Sequence, residues 1–216
     1  HFAANNQETN RLTIDVQISE RAMREIYLKN FEIAVKESQP WTVMSSYNKI
    51  NGVYTSASKD LLTTILRDEW GYKGLVMTDW FGGFEGFEAI MKKQSSDVVA
   101  QMNAGNDLLM PGLSIQKKEL LDALNLGKLS QEIANKNVKR ILELAFKSPV
   151  FTDYKYSNQP NLTQNSQVAR NAASEGMVLL KNDNNALPFS SKNEVVSVFG
   201  VTSYDFITGG TGSGSV

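Results

Sequence analysis

The residues best suited to chemistry are an aspartate and a tryptophan, Asp79 and Trp80, directly after the short apolar run 75–77. Glycines flank this stretch on both sides, and an apolar run between glycine-rich breaks predicts a buried β-strand. Ligands bind at the carboxyl ends of parallel strands, so Asp79 stands where a catalytic carboxylate would be placed. Trp80 offers a flat apolar face for a substrate ring.

Other polar side chains are predicted at the same edge of the sheet. Predicted strands end near Tyr47, Asp79 and Asp107, and His1 stands at the end of what we interpret as a further strand. Carboxylate, aromatic and neutral polar groups together suit sugar recognition, because sugars present both hydroxyls and apolar C–H faces. A carboxylate can also attack an anomeric carbon and hold it covalently until water arrives. An isolated aspartate would favour helix capping or a buried ion pair, and for Asp107 a structural hydrogen bond is the better interpretation.

The composition excludes several other functions. The chain has 216 residues and a net charge of −1, so nothing favours nucleic acid or an anionic membrane as a partner. It lacks cysteine, which excludes thiolate metal sites and a cysteine nucleophile. Its single histidine, His1, argues against a serine–histidine triad or a multi-histidine metal site. We therefore expect no metal and no cofactor, no nucleic-acid partner and no membrane span.

Strands and helices alternate along the first part of the chain. The patterns predict strands at 41–47, 75–77 and 106–110, and helices at 20–36, 59–70, 85–102 (with a break near 95–96), 115–126 and 131–147. The strand ends recur at roughly 30 residues, the size of one βα unit, so the sheet should be parallel. An open doubly wound sheet and a closed (β/α)₈ barrel both fit this order. The polar strand ends favour the barrel.

The C-terminal part of the chain differs in character. Residues 150–164 lack periodicity and predict a linker, whereas a helix at 166–181 and a strand at 195–200 predict a second α/β domain. We therefore expect three parts, namely barrel 1–149, linker 150–164 and the start of the second domain, 165–216. Neither terminus resembles a natural one, so we expect a piece of a longer polypeptide that the rest of the protein completes.

Several linked motifs carry a family resemblance across nearly the whole chain. They are Met-Ser-Ser-Tyr-Asn (44–48) with Asn-Gly (51–52), Leu-Arg-Asp-Glu-Trp-Gly-Tyr-Lys-Gly (66–74), Val-Met-Thr-Asp-Trp (76–80), Asn-Ala-Gly-Asn-Asp-Leu-Leu-Met-Pro-Gly (103–112) and Val-Leu-Leu-Lys-Asn (178–182) with Leu-Pro (187–188). The chain resembles the family-three glycoside hydrolases, in particular their β-glucosidase branch. This resemblance implies the C-terminal part of a (β/α)₈-type barrel, then an α/β sandwich domain, with the active site between the two.

The resemblance also implies roles for individual residues. Asp79 matches the nucleophile of a retaining mechanism, and His1 matches a histidine that binds sugar hydroxyls. Tyr47 matches a tyrosine close to the nucleophile, Trp80 an aromatic that clamps the sugar or aglycone, and Met44 a residue that lines the pocket. The general acid is implied to be a glutamate beyond this chain. Glu85 and Glu88 begin a predicted helix, where their charges complement the helix dipole.

The expected substrate is therefore a carbohydrate, with terminal β-D-glucose released from oligosaccharides or glucosides. The alternatives are β-xylosidase, arabinosidase or glycoside phosphorylase activity on the same scaffold, and a non-catalytic sugar-binding role if the full protein lacks the acid. Self-association into a homo-oligomer remains open. We expect a secreted or periplasmic location in preference to a cytoplasmic one.

Overall fold

A computed structural model of the chain describes residues 1–92, 95–189, 195–206 and 209. The chain divides into two compact units, His1–Lys155 and Tyr156–Val216. This division falls inside the predicted linker 150–164, while the domain assignments themselves remain predictions. Over the residues just given, no helix is both long and apolar enough to cross a bilayer.

The elements of the chain are mostly short strands and longer helices. The strands are β1 (Asp15–Val16), β2 (Thr42–Ser45), β3 (Lys49–Ile50), β4 (Val53–Tyr54) and β5 (Leu75–Thr78). The α-helices are α1 (Glu20–Ala22), α2 (Lys29–Ser38), α3 (Gly86–Met91), α4 (Val98–Ala104), α5 (Ser114–Asn125), α6 (Gln131–Phe146) and α7 (Leu162–Gly176). Met23–Tyr27 and Asp60–Glu69 are π-helical, and 3₁₀ turns lie at Thr55–Ala57, Pro149–Thr152, Asp183–Asn185 and Val201–Ser203.

Parallel pairing orders the first unit. β2 pairs in parallel with β5 over four residues, from Thr42 opposite Leu75 to Ser45 opposite Thr78. Isolated parallel bridges extend this pair on both sides, from Phe2 to Ser45 and from Leu108 to Met77. Four segments thus lie side by side in chain order, which confirms the parallel arrangement predicted from the βα spacing.

The predicted strand 106–110 is wrong in extent, because only the single bridge at Leu108 forms. The Asp107 and Leu108 N–H groups both donate to the Val76 carbonyl, at 2.8 and 3.2 Å. The Asp107 carboxylate accepts the Val76 N–H at 2.8 Å. A side chain therefore replaces the backbone carbonyl that a regular ladder would offer to Val76.

A small second sheet consists of β1, which precedes β2 along the chain, and of β3 and β4, which lie between β2 and β5. β1 pairs in parallel with β3, and β3 pairs antiparallel with β4. The turn between β3 and β4 is Asn51-Gly52, with positive φ at both residues (48° and 88°), as the Asn-Gly sequence predicts. The Asn51 side chain also bonds both backbone groups of Ile18, at 2.9 and 3.0 Å, and so ties the hairpin to the segment after β1.

The helices largely follow their predicted positions, with local distortions. The helix predicted at 20–36 runs through α1, a π-helical turn and α2, because Leu28 N–H bonds the Met23 carbonyl five residues back. It ends at Gln39, whose φ is 46°, directly before Pro40. The helix predicted at 85–102 is broken as expected into α3 and α4, and α4 extends to Ala104. Residues 93–94 of that prediction lie outside the described residues.

Two apolar clusters hold the first unit together. The larger cluster surrounds Phe2, Leu62 and Val76, whose side chains are fully buried. It packs strands β2 and β5 against α2 and the π-helix Asp60–Glu69. The smaller joins α4 and α5 through Val98, Met102 and Ala123. Burial of the Val, Leu, Phe and Met side chains in these clusters contributes about 1.5–3 kcal/mol each to stability.

The second unit contains α7, whose N-cap Asn161 accepts the Gln164 N–H. The predicted strand 195–200 is wrong, because these residues pair with no other described segment. A strand exists only through hydrogen bonds to a neighbour, and Val195 remains 96% exposed. The glycine-rich residues 210–216 of the predicted second domain lie outside the described residues.

Candidate active site

The backbone brings three predicted site residues to one edge of the parallel sheet. Asp79 directly follows β5, and Tyr47 follows β2 by two residues. His1 precedes Phe2, which bridges to Ser45 at the end of β2 and donates its N–H to the Met44 carbonyl at 2.7 Å. The three side chains therefore meet where a barrel enzyme assembles its site.

His1 and Asp79 form the central contact of the site. The His1 Nε2 atom lies 2.5 Å from the Asp79 Oδ2 atom. The side chains keep 27% and 13% of their surfaces exposed, respectively, so the pair is sheltered yet open to a ligand. A charge-assisted hydrogen bond of this length fixes the orientation of the carboxylate.

Asn5 approaches the other ring nitrogen of His1. Its Oδ1 atom lies 2.5 Å from His1 Nδ1. With acceptors on both sides, the ring is favoured in its doubly protonated, charged form. The hydrogen bond to Asp79 raises the pKa of His1 above its ordinary value, although partial burial opposes this shift.

Tyr47 completes the cluster. Its ring meets the His1 ring edge-on, with centroids 5.5 Å apart and an interplanar angle of 72°. Burial, and secondly a hydrogen bond to the Asp79 carboxylate, raise the pKa of Tyr47, so its hydroxyl stays protonated. Arg11 covers the same ring, with its guanidinium carbon 5.0 Å from the centroid.

We expect the pKa of His1 to lie above 6.5 in the folded full-length protein and to fall towards that value in Asp79→Asn. A raised pKa means that the pair stabilises the fold fully below the ordinary histidine value and loses this contribution as pH rises through the raised value. NMR titration of the ring signal, assigned by its loss in His1→Gln, measures the shift. Glu85→Gln is the control and should leave the titration unchanged; a wild-type pKa at or below 6.5 would contradict the prediction.

Buried hydroxyl groups hold the segments that carry His1 and Tyr47. The Ser46 Oγ atom lies 3.1 Å from both the Phe2 and the Ala3 carbonyl oxygens and 2.8 Å from Thr55 Oγ1. Thr55 Oγ1 in turn donates to the Ser46 carbonyl at 2.7 Å. Ser46 and Thr55 are both fully buried, so this link is sheltered from competition with water.

A tight turn follows the candidate nucleophile. The Gly82 N–H donates to the Asp79 carbonyl at 2.9 Å, which closes a four-residue turn through Trp80 and Phe81. Phe81 has φ = 62°, a left-handed conformation that aromatic residues rarely adopt. Its N–H bonds the Met110 carbonyl at 3.0 Å, and backbone strain of this kind concentrates at functional sites.

The remaining predicted site residues lie close by along the chain. Trp80 adjoins Asp79 and is 45% exposed, so its ring is accessible to a ligand. Met44 pairs with Met77 in the sheet. Side chains alternate along a strand, so Met44 lies on the face that Met77 and Asp79 share. A pocket-lining role for Met44 remains a prediction, as do the roles of the other site residues.

Sequence analysis did not single out Asn5 or Arg11. Both lie in the polar loop that follows His1, and the only feature of the sequence that could have indicated them was their nearness to His1 along the chain. Their contacts with His1 and Tyr47 depend on how this loop folds back, which its composition does not encode. Across the described part of the chain, no three acidic, histidine or cysteine side chains group as a metal site.

Comparison with known proteins places these features in a family. Residues 1–144 match the family described as "Glycosyl hydrolase family 3 N terminal domain". The thermostable β-glucosidase B of Acetivibrio thermocellus is 40% identical over 92% of this chain and 24% of its own length. An exo-α-(1→6)-L-arabinopyranosidase of Bifidobacterium breve is 39% identical over 88% of this chain and 23% of its own.

Solved structures agree. β-Glucosidase 3B of Thermotoga neapolitana, in complex with glucose, superposes with a TM-score of 0.85 at 47% identity, over 100% of this chain and 29% of that one. The chain thus spans about a quarter of the length of the relatives that it matches. It belongs to glycosyl hydrolase family 3, and the predicted TIM-like barrel is confirmed as the fold class. The sandwich domain assigned to 165–216 remains a prediction.

Proposed function

We propose that the full-length protein carrying this chain is a retaining β-glucosidase, with Asp79 as its nucleophile. The observation that carries the proposal is the contact of Asp79 with His1 Nε2 at 2.5 Å, beside Tyr47 at the carboxyl edge of the strands. The two donors orient the carboxylate, and Trp80 offers an exposed ring for stacking. Relatives described as β-glucosidases support the choice of sugar.

The reaction proceeds in two displacements. An Asp79 oxygen attacks C1 of the terminal sugar, the bond from C1 to the leaving oxygen breaks, and a general acid protonates that oxygen. Water then attacks C1, the ester to Asp79 breaks, and the water proton returns to the same acid group. Retaining enzymes place the two carboxyl groups about 5–5.5 Å apart. The proposal assigns the acid to a glutamate outside this chain.

His1 and Tyr47 keep the carboxylate ready for attack. Asp79 attacks as a carboxylate, and hydrogen bonds from both neighbours hold its oxygens in place. As the ester forms, the negative charge leaves Asp79 and these hydrogen bonds weaken. Water attack restores the carboxylate, and the same two groups stabilise it as the leaving group of the second step.

A second candidate function is cleavage of pentosides by the same mechanism. The similarity to the arabinopyranosidase of B. breve favours it, because that protein is nearly as similar to this chain as the β-glucosidase of A. thermocellus. The residues described around Asp79 act on C1 and do not by themselves distinguish a hexose from a pentose.

We expect the full-length protein to hydrolyse aryl β-glucosides faster than β-xylosides or α-L-arabinopyranosides, and to release the sugar first as its β-anomer. Retention follows from two successive inversions at C1. Initial rates on the three substrates and NMR of the first-formed anomer are the measurements. Faster arabinoside cleavage would favour the second candidate, whereas an inverted first product would reject Asp79 as nucleophile.

A further inference from the structure

We propose that Gln101 is a positioning residue for the proposed reaction, which fixes the Asp79–Gly82 turn so that Asp79 and Trp80 face the substrate correctly. The inference rests on the proposed function only for its kinetic consequence. Gln101 lies on α4, and its side chain is only 1% exposed. It has no access to substrate and can act only through the segments that it contacts.

Both N–H groups of the Gln101 amide donate hydrogen bonds to segments outside its own helix. Its Nε2 atom donates to the Gly82 carbonyl at 2.8 Å and to Ser56 Oγ at 3.0 Å. Its Oε1 atom accepts the Ser96 hydroxyl at 2.8 Å. A buried amide with every donor hydrogen bonded holds its partners in one geometry, because leaving any of them unpaired is costly.

The backbone after Asp79 is shaped to receive this amide. A Cβ atom on Gly83 would lie 2.4 Å from Gln101 Nε2 and 2.9 Å from Ser56 Oγ, so a side chain there would displace the amide. Gly83 also has φ = 87°, a conformation that favours glycine. The close approach of Gln101 to the backbone at Gly82-Gly83 therefore leaves room only for glycine at position 83.

Gly82 connects the Gln101 side chain to Asp79, because it is hydrogen bonded to both. Gly82 closes the turn by donating to the Asp79 carbonyl, while its own carbonyl is held by Gln101. The left-handed Phe81 lies inside this turn, a conformation that persists only where its surroundings enforce it. Without Gln101, the turn loses the side chain that holds its last residue, and Asp79 and Trp80 lose their fixed direction.

Gln116 offers a matched control in the same buried polar group. It is 3% exposed and donates from Nε2 to Ser96 Oγ at 3.1 Å, while its Oε1 accepts the Leu113 N–H at 3.0 Å. It makes no hydrogen bond to the Asp79–Gly82 turn. Gln101→Met and Gln116→Met both remove a buried amide, but only the first releases Gly82.

The test uses the full-length protein and two readouts. With a 2-deoxy-2-fluoroglucoside bearing a good leaving group, the rate of Asp79 labelling should fall about 10- to 100-fold in Gln101→Met, because misplacement of a reacting group by about 1 Å costs that much. Gln116→Met should stay within about threefold of wild type. Hydrogen exchange of the peptide spanning 79–84 should accelerate in Gln101→Met and not in Gln116→Met.

Equal losses of labelling in the two variants, or unchanged exchange of the 79–84 peptide in Gln101→Met, would overturn the positioning role. If Gln101→Met does not fold, the pair Gln101→Leu and Gln116→Leu repeats the comparison, since leucine also lacks the donors and buries no charge. A wild-type protein that is neither labelled nor active would reject the proposed function instead. The exchange measurement would then still decide whether Gln101 holds the turn.

Discussion

Asp79→Ala is expected to lower the turnover of the full-length protein by on the order of 10⁴- to 10⁶-fold, the loss found when a covalent nucleophile is removed. The side chain contacts His1 and Tyr47 at the open edge of the sheet and lies outside both apolar clusters, so its removal should leave the fold intact. Initial rates on an aryl β-glucoside measure the loss.

Azide makes this result diagnostic. The alanine leaves space beneath C1, and azide can enter there and attack the face that Asp79 would have used. The product from an aryl β-glucoside should then be the α-glycosyl azide, because only one inversion occurs. Glu85→Ala is the control: its side chain is 68% exposed and pairs with Lys49 at 3.0 Å, so activity should stay within about threefold of wild type. Substantial turnover by Asp79→Ala without azide would show that another group attacks C1.

Asp107→Ala should destabilise the first unit by about 3–5 kcal/mol, the cost of breaking a buried ion pair by removing one partner. The Asp107 side chain has no exposed surface. It accepts from Arg67 Nη2 at 2.7 Å, from Arg140 Nη1 at 2.7 Å and from the Val76 N–H at 2.8 Å. Its removal leaves two guanidinium groups and one backbone donor without their acceptor. The loss is measured as a lower urea midpoint at constant m-value.

The control for this prediction is an ion pair at the surface. Arg24 and Glu69 form a bidentate salt bridge, with Arg24 Nη1 2.6 Å from Glu69 Oε2 and Arg24 Nη2 3.0 Å from Glu69 Oε1. Their side chains are 35% and 39% exposed. Water competes with such a pair, and Glu69→Gln should cost no more than about 1 kcal/mol. If Asp107→Ala were as mild as Glu69→Gln, the buried network would contribute nothing to the barrel. Asp107→Asn, which keeps an acceptor but loses the charge, should lie between the two.

The Asp107 network also connects stability to the site. Asp107 ties Val76 of β5 to the chain before Leu108, and β5 leads directly into Asp79. Arg67 adds hydrogen bonds to the carbonyl of Gly74, directly before β5, at 3.0 Å and to the carbonyl of Gly105, two residues before Asp107, at 3.2 Å. The structural interpretation of Asp107 made from sequence is therefore confirmed, and the carboxylate at this strand end differs in role from the proposed role of Asp79.

Local pattern was sufficient for much of the fold. The apolar run before Asp79, the helix predicted at 131–147 and the Asn51-Gly52 turn were all predicted correctly. Each depends on residues within a few positions of one another, where periodicity, capping and positive φ are set by the backbone itself. The helix predicted at 166–181 runs instead from Leu162 to Gly176. The strand predictions that fail lie at 106–110 and 195–200, where strand formation depends on a partner elsewhere in the chain.

The sequence by itself determined that a carboxylate and a tryptophan follow a buried strand, and its linked motifs identified the family. Only the tertiary structure decided that His1 and Tyr47 reach Asp79, that Asn5 faces the second ring nitrogen of His1 and that Gln101 holds the turn behind it. Apart from Asn5 and His1, which are four positions apart, these contacts join residues far apart in sequence. Their distances depend on how strands, loops and helices pack, and one-dimensional spacing does not specify that packing.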